Sequence, residues 1–178
     1  MTQHAVAAVI AALAAMTAGP GFAQEPVDAA LFCQKAGRNK AIYQQLLPAG
    51  ETARAGTAPG AVTCGWTFTQ FNGPDVLVTL DSRLMKSPIV ARQEILMARL
   101  PENRRGTAIE PLPRMGDDGL SRATRKDGAL TLFEIEAVKD RRHFLLTVHT
   151  RDGAAIDQRI ADATISFLGS GIRAVPQP

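Results

Sequence analysis

The stretch Ala-Val-Thr-Cys-Gly-Trp-Thr-Phe-Thr-Gln-Phe, residues 61–71, alternates apolar and polar side chains without a break from Val62 to Thr69. A period of two is the mark of a half-buried strand. Val62, Cys64, Trp66 and Phe68 fall on one face, and Thr63, Gly65, Thr67 and Thr69 on the other. The chain's one tryptophan and one of its two cysteines therefore point into the same core. The other cysteine, Cys33, lies upstream in a predicted helix, and a bond between the two would staple that helix to the sheet.

Working outward, Asn72-Gly73 is a hairpin signal because both residues tolerate positive φ. It leads into a return strand over Asp75 to Asp81, with Val76, Val78 and Leu80 on one face. Upstream, Asp28 is an N-cap for a helix running toward Leu47, with Leu31, Ile42, Leu46 and Leu47 as apolar positions. Gly37-Arg38-Asn39 is a candidate break in that helix, and Pro48 ends it. Ala49 to Gly60, rich in Ala, Gly, Thr and Pro, reads as a loop.

Downstream, Ser87 caps a second helix with Pro88 at its first position. Ile89, Gln93, Leu96 and Leu100 define its stripe, and Pro101 ends it. Glu102 to Gly119 reads as a long irregular connection carrying Pro111, Pro113 and the run Gly116-Asp117-Asp118-Gly119, and connections of that length are often functional. Three strands follow, at 120–124, 129–138 and 143–150. If the last two pair across their turn, Phe133, Ile135, Ala137, Phe144, Leu146 and Val148 share one face, while Glu134, Glu136, His143, Thr147 and His149 share the other. A slip of one residue would bury the charges, so the register is well specified. A last helix is predicted over Ala154 to Leu168, with Ile156, Ile160, Ala163 and Phe167 on its stripe and Gly169 just past its end. The expected fold is α+β, a mostly antiparallel sheet of about five strands with covering helices in the order α-ββ-α-βββ-α.

The N-terminus bears on compartment. Met1 to Ala23 contains no Lys, Arg, Asp or Glu, and Ala5 to Met16 is an uninterrupted small-apolar run. That is the length of a secretory h-region and short of the roughly 20 residues a spanning helix needs. The n-region offers only His4 and the amino group. Gly21-Phe22-Ala23 puts small residues where a signal peptidase reads them, which predicts a signal peptide at 1–23, cleavage before Gln24 and a single mature domain at 24–178. No cysteine directly follows the predicted cut to carry a lipid, since the first mature residue is Gln24, and no transmembrane segment is predicted in the mature chain. The expected location is periplasmic or secreted.

In an oxidising compartment two cysteines are most simply one disulfide, Cys33 to Cys64. A redox or nucleophilic thiol would want a Cys-x-x-Cys pair or an electropositive helix start, and the sequence has neither. The formal charge of +3 is mildly basic. It suits weak attraction to an envelope protein or an anionic polymer and falls short of a nucleic-acid footprint.

The element order, with a cysteine in the first helix and Cys64-Gly65-Trp66 on the first strand, resembles small exported proteins of the PsbP/Mog1-like type, including LpqN-like lipoproteins. Met115-Gly116-Asp117-Asp118-Gly119-Leu120, entering a strand, is similar to the Gly-Asp turn of those domains. This chain departs from the lipoprotein members in lacking a lipidation cysteine. The resemblance implies a non-enzymatic binding or accessory module and no particular ligand.

Against that stand a few residue sets. Glu134 and Glu136 near His143 suggest acid/base chemistry or a metal site, although a solvated strand face needs no such role. Asp117-Asp118 lacks the alternating ligands and closing Glu of a calcium loop, and a plain turn accounts for it. Ser121 and His143 would be a nucleophile and base only if they met. Arg104-Arg105 and Arg141-Arg142 are candidate anion or partner contacts; the pairs Arg125-Lys126 and Arg141-Arg142 belong to turns at opposite ends of the sheet. No Gly-x-Ser-x-Gly elbow, Walker loop, His-Glu-x-x-His or dinucleotide fingerprint occurs, so no catalytic residue, metal ligand or cofactor is assigned. The sequence therefore favours a non-catalytic exported binding module. The alternative is a periplasmic hydrolase-type enzyme whose site combines the 102–119 loop with the polar sheet face, and a third option is a structural subunit. A deep polar pocket holding His143, Glu136 and Asp117 would favour the enzyme; a groove lined by apolar and Arg side chains would favour binding.

Overall fold

A computed structural model describes residues 28–47, 51–69, 73–100 and 107–174. The predicted signal peptide at 1–23, the turn residue Asn72 and the pair Arg104-Arg105 lie outside the described residues.

The elements run α1 (Ala29–Ala36), a 3-10 turn (Gly37–Asn39), α2 (Ala41–Gln44), β1 (Glu51–Ala58), β2 (Ala61–Phe68), β3 (Val76–Leu84), α3 (Pro88–Ala98), β4 (Thr107–Pro111), β5 (Asp118–Lys126), β6 (Ala129–Lys139), β7 (Arg142–Thr150) and α4 (Gln158–Ala174). The strands form one antiparallel sheet of seven in the order β1-β2-β3-β7-β6-β5-β4. The α+β class stands, but the sheet has seven strands rather than about five, and the order of elements differs accordingly. The two added strands are those whose side chains carry little strand preference. β1 is Glu-Thr-Ala-Arg-Ala-Gly-Thr-Ala and is held by pairing with β2 along its whole length, from Glu51 opposite Phe68 to Ala58 opposite Ala61. β4 pairs with β5 inside what the sequence reads as a loop. Strand formation there follows from an available edge rather than from intrinsic propensity.

The alternation at 61–68 has the predicted consequence. Val62, Cys64, Trp66 and Phe68 are buried, with Val78 and Leu80 of β3, Ile135 of β6 and Leu146 of β7 on the same face. α1, α2 and α4 cover this face with Phe32, Tyr43, Phe167 and Leu168, joined by Leu47 just past the end of α2. Trp66 meets Phe167 edge to face at 5.3 Å, and Tyr43 lies 5.2 Å from Phe68 and 5.1 Å from Phe167. Such aromatic pairs add to the area they bury. The Tyr43 hydroxyl donates to Thr164 Oγ1 at 2.9 Å, which donates to the Ile160 carbonyl at 2.7 Å. Burial pushes the Tyr43 hydroxyl well above its ordinary pKa, only partly offset by Thr164. Cys33 and Cys64 form the disulfide, with Cα atoms 5.4 Å apart, pinning α1 to β2.

Two helices depart from expectation, α4 in its bounds and α3 in its inner face. α4 starts at Gln158 and continues through Gly169 to Ala174, with Gly171 packed beside Ala36 of α1. α3 is capped by Ser87, whose Oγ accepts from the Val90 N–H, as the Ser-Pro pair predicts. Its buried stripe is Ala91, Ile95 and Ala98 against Leu120 and Val138, whereas Ile89 and Leu96 are 71% and 55% exposed. Small alanines let the helix approach the sheet closely, so the larger apolar residues were a misleading guide to the inner face.

Candidate functional site

The polar sheet face forms where predicted, on the side of the sheet that α3 only partly covers. β6 and β7 pair with Glu134 opposite Thr147, Glu136 opposite Leu145 and Val138 opposite His143. β5 adds Arg122, opposite Glu134, a residue the sequence reading did not single out. The Arg122 Nη2 pairs with Glu136 Oε1. Its Nε lies 3.3 Å from Glu134 Oε2 but is not aligned for a hydrogen bond. His143 Nε2 lies 3.2 Å from Glu136 Oε2, within hydrogen-bond distance. Both carboxylates are thus engaged by neighbouring cations or donors. Ser121 faces the other side of the sheet, opposite Ile135 and buried, so it cannot meet His143. Among the described residues no group of three or more His, Cys, Asp or Glu is arranged to hold a metal.

The Gly116-Asp117-Asp118-Gly119 run is a clasp. Gly116 has φ +67, and a Cβ there would collide with the Val138 carbonyl oxygen. Asp117 accepts from the Asp140 N–H at 2.6 Å and from Lys139 Nζ at 3.0 Å. Burial raises its pKa, but these two donors outweigh that and hold the carboxyl below its ordinary value. Asp118 accepts from Arg99 at 2.6 Å and from the Gly119 N–H at 2.8 Å, tying the end of α3 to β5.

The two described arginines of the candidate anion set part company. Arg141 Nε donates to the Met85 carbonyl at 3.1 Å. Arg142 turns into the core, its guanidinium 5.8 Å from the centre of the Phe32 ring and its Nη1 3.3 Å from Ser82 Oγ. Burial lowers its pKa. The sequence carried a signal for this, because Arg142 is in phase with Phe144, Leu146 and Val148.

The open space in the described structure lies elsewhere, between α1 and β1. Ala53 and Ala55 of β1 sit opposite Trp66 and Cys64, so they face α1 with methyl groups that leave the gap unfilled. The resulting groove, about 530 Å³, is lined by Ala30, Cys33 and Gln34 of α1, Gly37 and Arg38 of the 3-10 turn, Lys40, residues 53–55 of β1, and Trp66. Gly37 keeps the passage open beside the indole, because a Cβ would sit 3.3 Å from its ring. A second groove of about 280 Å³ shares Arg38 and adds Ala36, Asn39, Ser170 and Arg173. Arg38, Lys40 and Arg173 supply the charge, Arg54 borders the first groove from a β1 position whose side chain is in phase with the other sheet face, and among the described residues no carboxylate lines either groove. The disulfide holds one wall to the floor, since Cys33 is in α1 and Cys64 in β2. Sequence reasoning missed this site because it took β1 for a loop and Arg38 for part of a helix break. The available signal was Pro59-Gly60, a turn pair that forms the tight connection into β2 with Gly60 at φ 69.

No protein-family model matches the chain, and no curated protein matches it. Among the described residues no helix is long and apolar enough to cross a membrane.

Proposed function

We propose that this protein is an exported, disulfide-stapled binding module of the bacterial envelope that holds an anionic ligand in the groove between α1 and β1 and performs no catalysis. The observation that carries the reading is the groove itself: small side chains, a tryptophan edge and Arg38 converge there without an acidic neighbour. Export rests on the apolar, uncharged stretch Ala5 to Met16 and agrees with the Cys33–Cys64 bridge, since disulfides persist in oxidising compartments. The resemblance to PsbP/Mog1-like exported domains points the same way. The ligand class is an acidic protein segment or an anionic envelope polymer. The hydrolase alternative draws less support, because Glu134 and Glu136 are already engaged and Ser121 lies on the far face from His143.

Trp66 is the only tryptophan, so its emission reports on this groove. Titrating the mature chain with poly-glutamate and with polyphosphate should change that emission in a salt-dependent way, and the variant Arg38→Glu, which reverses a charge lining this groove, should weaken the response at least tenfold. Flat titrations with both polymers would remove the anionic-groove reading.

A further inference from the structure

The sheet's two edge strands, β1 and β4, are protected very differently. β4 is five residues long, carries Glu110 and ends in Pro111, which has no N–H to offer. Short length, charge and proline are the usual ways of blunting an edge. β1 is eight residues long, pairs with β2 in unbroken register and contains no proline. From Thr52 to Ala58 every residue is exposed and Arg54 is the only charged one. Its outward N–H and C=O groups form a ready template for another strand, and the groove runs beside them.

We propose that β1 is a strand-addition site that takes an extended acidic segment of a partner protein as an eighth strand, an inference that rests on the groove being the binding site. Backbone pairing along β1 would supply affinity, and alternate side chains would supply selectivity. Those pointing toward α1 would enter the groove near Arg38, where a carboxylate is complementary. Those pointing the other way would flank Arg54, which faces the opposite side, as Gly65 does, and cross-strand opposite charges are favourable. The same charges argue against a second copy as the occupant, because two β1 edges laid antiparallel would bring like-charged Arg54 side chains and Arg38 rims together.

The test is selection of a displayed random octapeptide library on the folded mature protein, followed by synthesis of the enriched sequence. Enrichment in Asp, Glu and β-branched residues and depletion of Pro, Lys and Arg are expected. The synthetic peptide should protect β1 amides from hydrogen exchange. It should bind at least tenfold more weakly after Arg38→Glu/Arg54→Glu, whose side chains are exposed, with near-ultraviolet dichroism confirming the fold. Methylating alternate backbone nitrogens of the peptide should cost a similar factor. An empty selection, protection away from β1, or indifference to N-methylation would overturn strand addition. Concentration-dependent dimerisation with β1 protected in the absence of peptide would overturn the choice of partner. If poly-glutamate alters Trp66 emission while no peptide protects β1, the groove reading survives and strand addition falls; if neither ligand acts at the groove, both fall.

Discussion

Two glycines in left-handed backbone separate conformational cost from steric cost. Gly128, at the tip of the β5–β6 turn, has φ +82 and open space around its missing Cβ, while Gly116, at φ +67, faces the carbonyl of Val138. Gly128→Ala should therefore cost about 1 kcal/mol, the usual penalty for an L-residue in this region. Gly116→Ala adds a backbone collision that must open the bridge to Val138, and should cost about 3 kcal/mol or more. Urea unfolding of both variants checks this, and equal losses would mean that the 116–119 clasp yields freely. At this scale the sequence was most informative where geometry alone decides. The polar face at Glu134, Glu136 and His143 follows from a period of two, and the register confirms it. The joining of Arg122 to that face does not follow, because it depends on which residue of β5 pairs with Glu134, and no local pattern encodes that.

Among elements, α3 shows how a correct helix can carry an incorrect face. Ser87 and Pro88 mark its start in any environment, but the inner stripe is set by how closely the helix must approach β5 and β6, which selects Ala91 and Ala98 beside Ile95. Ile95→Ala should lower stability by about 3 kcal/mol through the cavity it leaves. Leu96→Lys, on the exposed side, should stay within about 0.5 kcal/mol. Reversal of that ranking in thermal or urea unfolding would restore the stripe through Leu96. α1 depends on a covalent tie instead. The Cys33–Cys64 bridge spans 31 residues, and a loop of that size gives about 3–4 kcal/mol in the chain-entropy account. Cys33→Ala/Cys64→Ala should lose about that much, with α1 amides exchanging fastest, because the bridge and a modest set of apolar contacts fix that helix. Uniform exchange across the sheet and helices would place the tie's effect elsewhere. β1, by contrast, was illegible from its own residues because its pairing with β2 supplies what its composition lacks.

Across the whole molecule, the last strand lies near the middle of the sheet. β7 pairs with both β3 and β6 and so joins the β1–β3 meander to the β4–β6 meander. Each hairpin has a local signature, but the β3–β7 pairing links segments far apart in sequence, so no local pattern encodes the strand order, whereas the strand count fell short because β1 and β4 carry little strand preference of their own. α4 then closes the main core, and its first turn is held by Asp157, whose carboxylate accepts from the Arg159 N–H at 2.8 Å and pairs with the Arg159 guanidinium. That engagement pulls the Asp157 pKa down to about 2, against about 3.9 for a carboxyl in an unfolded chain. Asp117, clasping the β6–β7 turn, is also lowered. A depressed folded-state pKa means that the unfolded chain takes up the proton first as pH falls, so this part of the stability is fully present above about pH 4 and is lost as pH drops toward 2. The urea midpoint should therefore decline between pH 4 and 2. Asp157→Asn, which retains a capping oxygen but neither the charge nor the titration, should start lower at pH 7, decline less steeply and meet the parent near pH 2. Parallel acid limbs for the two proteins would show that the Asp157–Arg159 pair contributes nothing to the folded state.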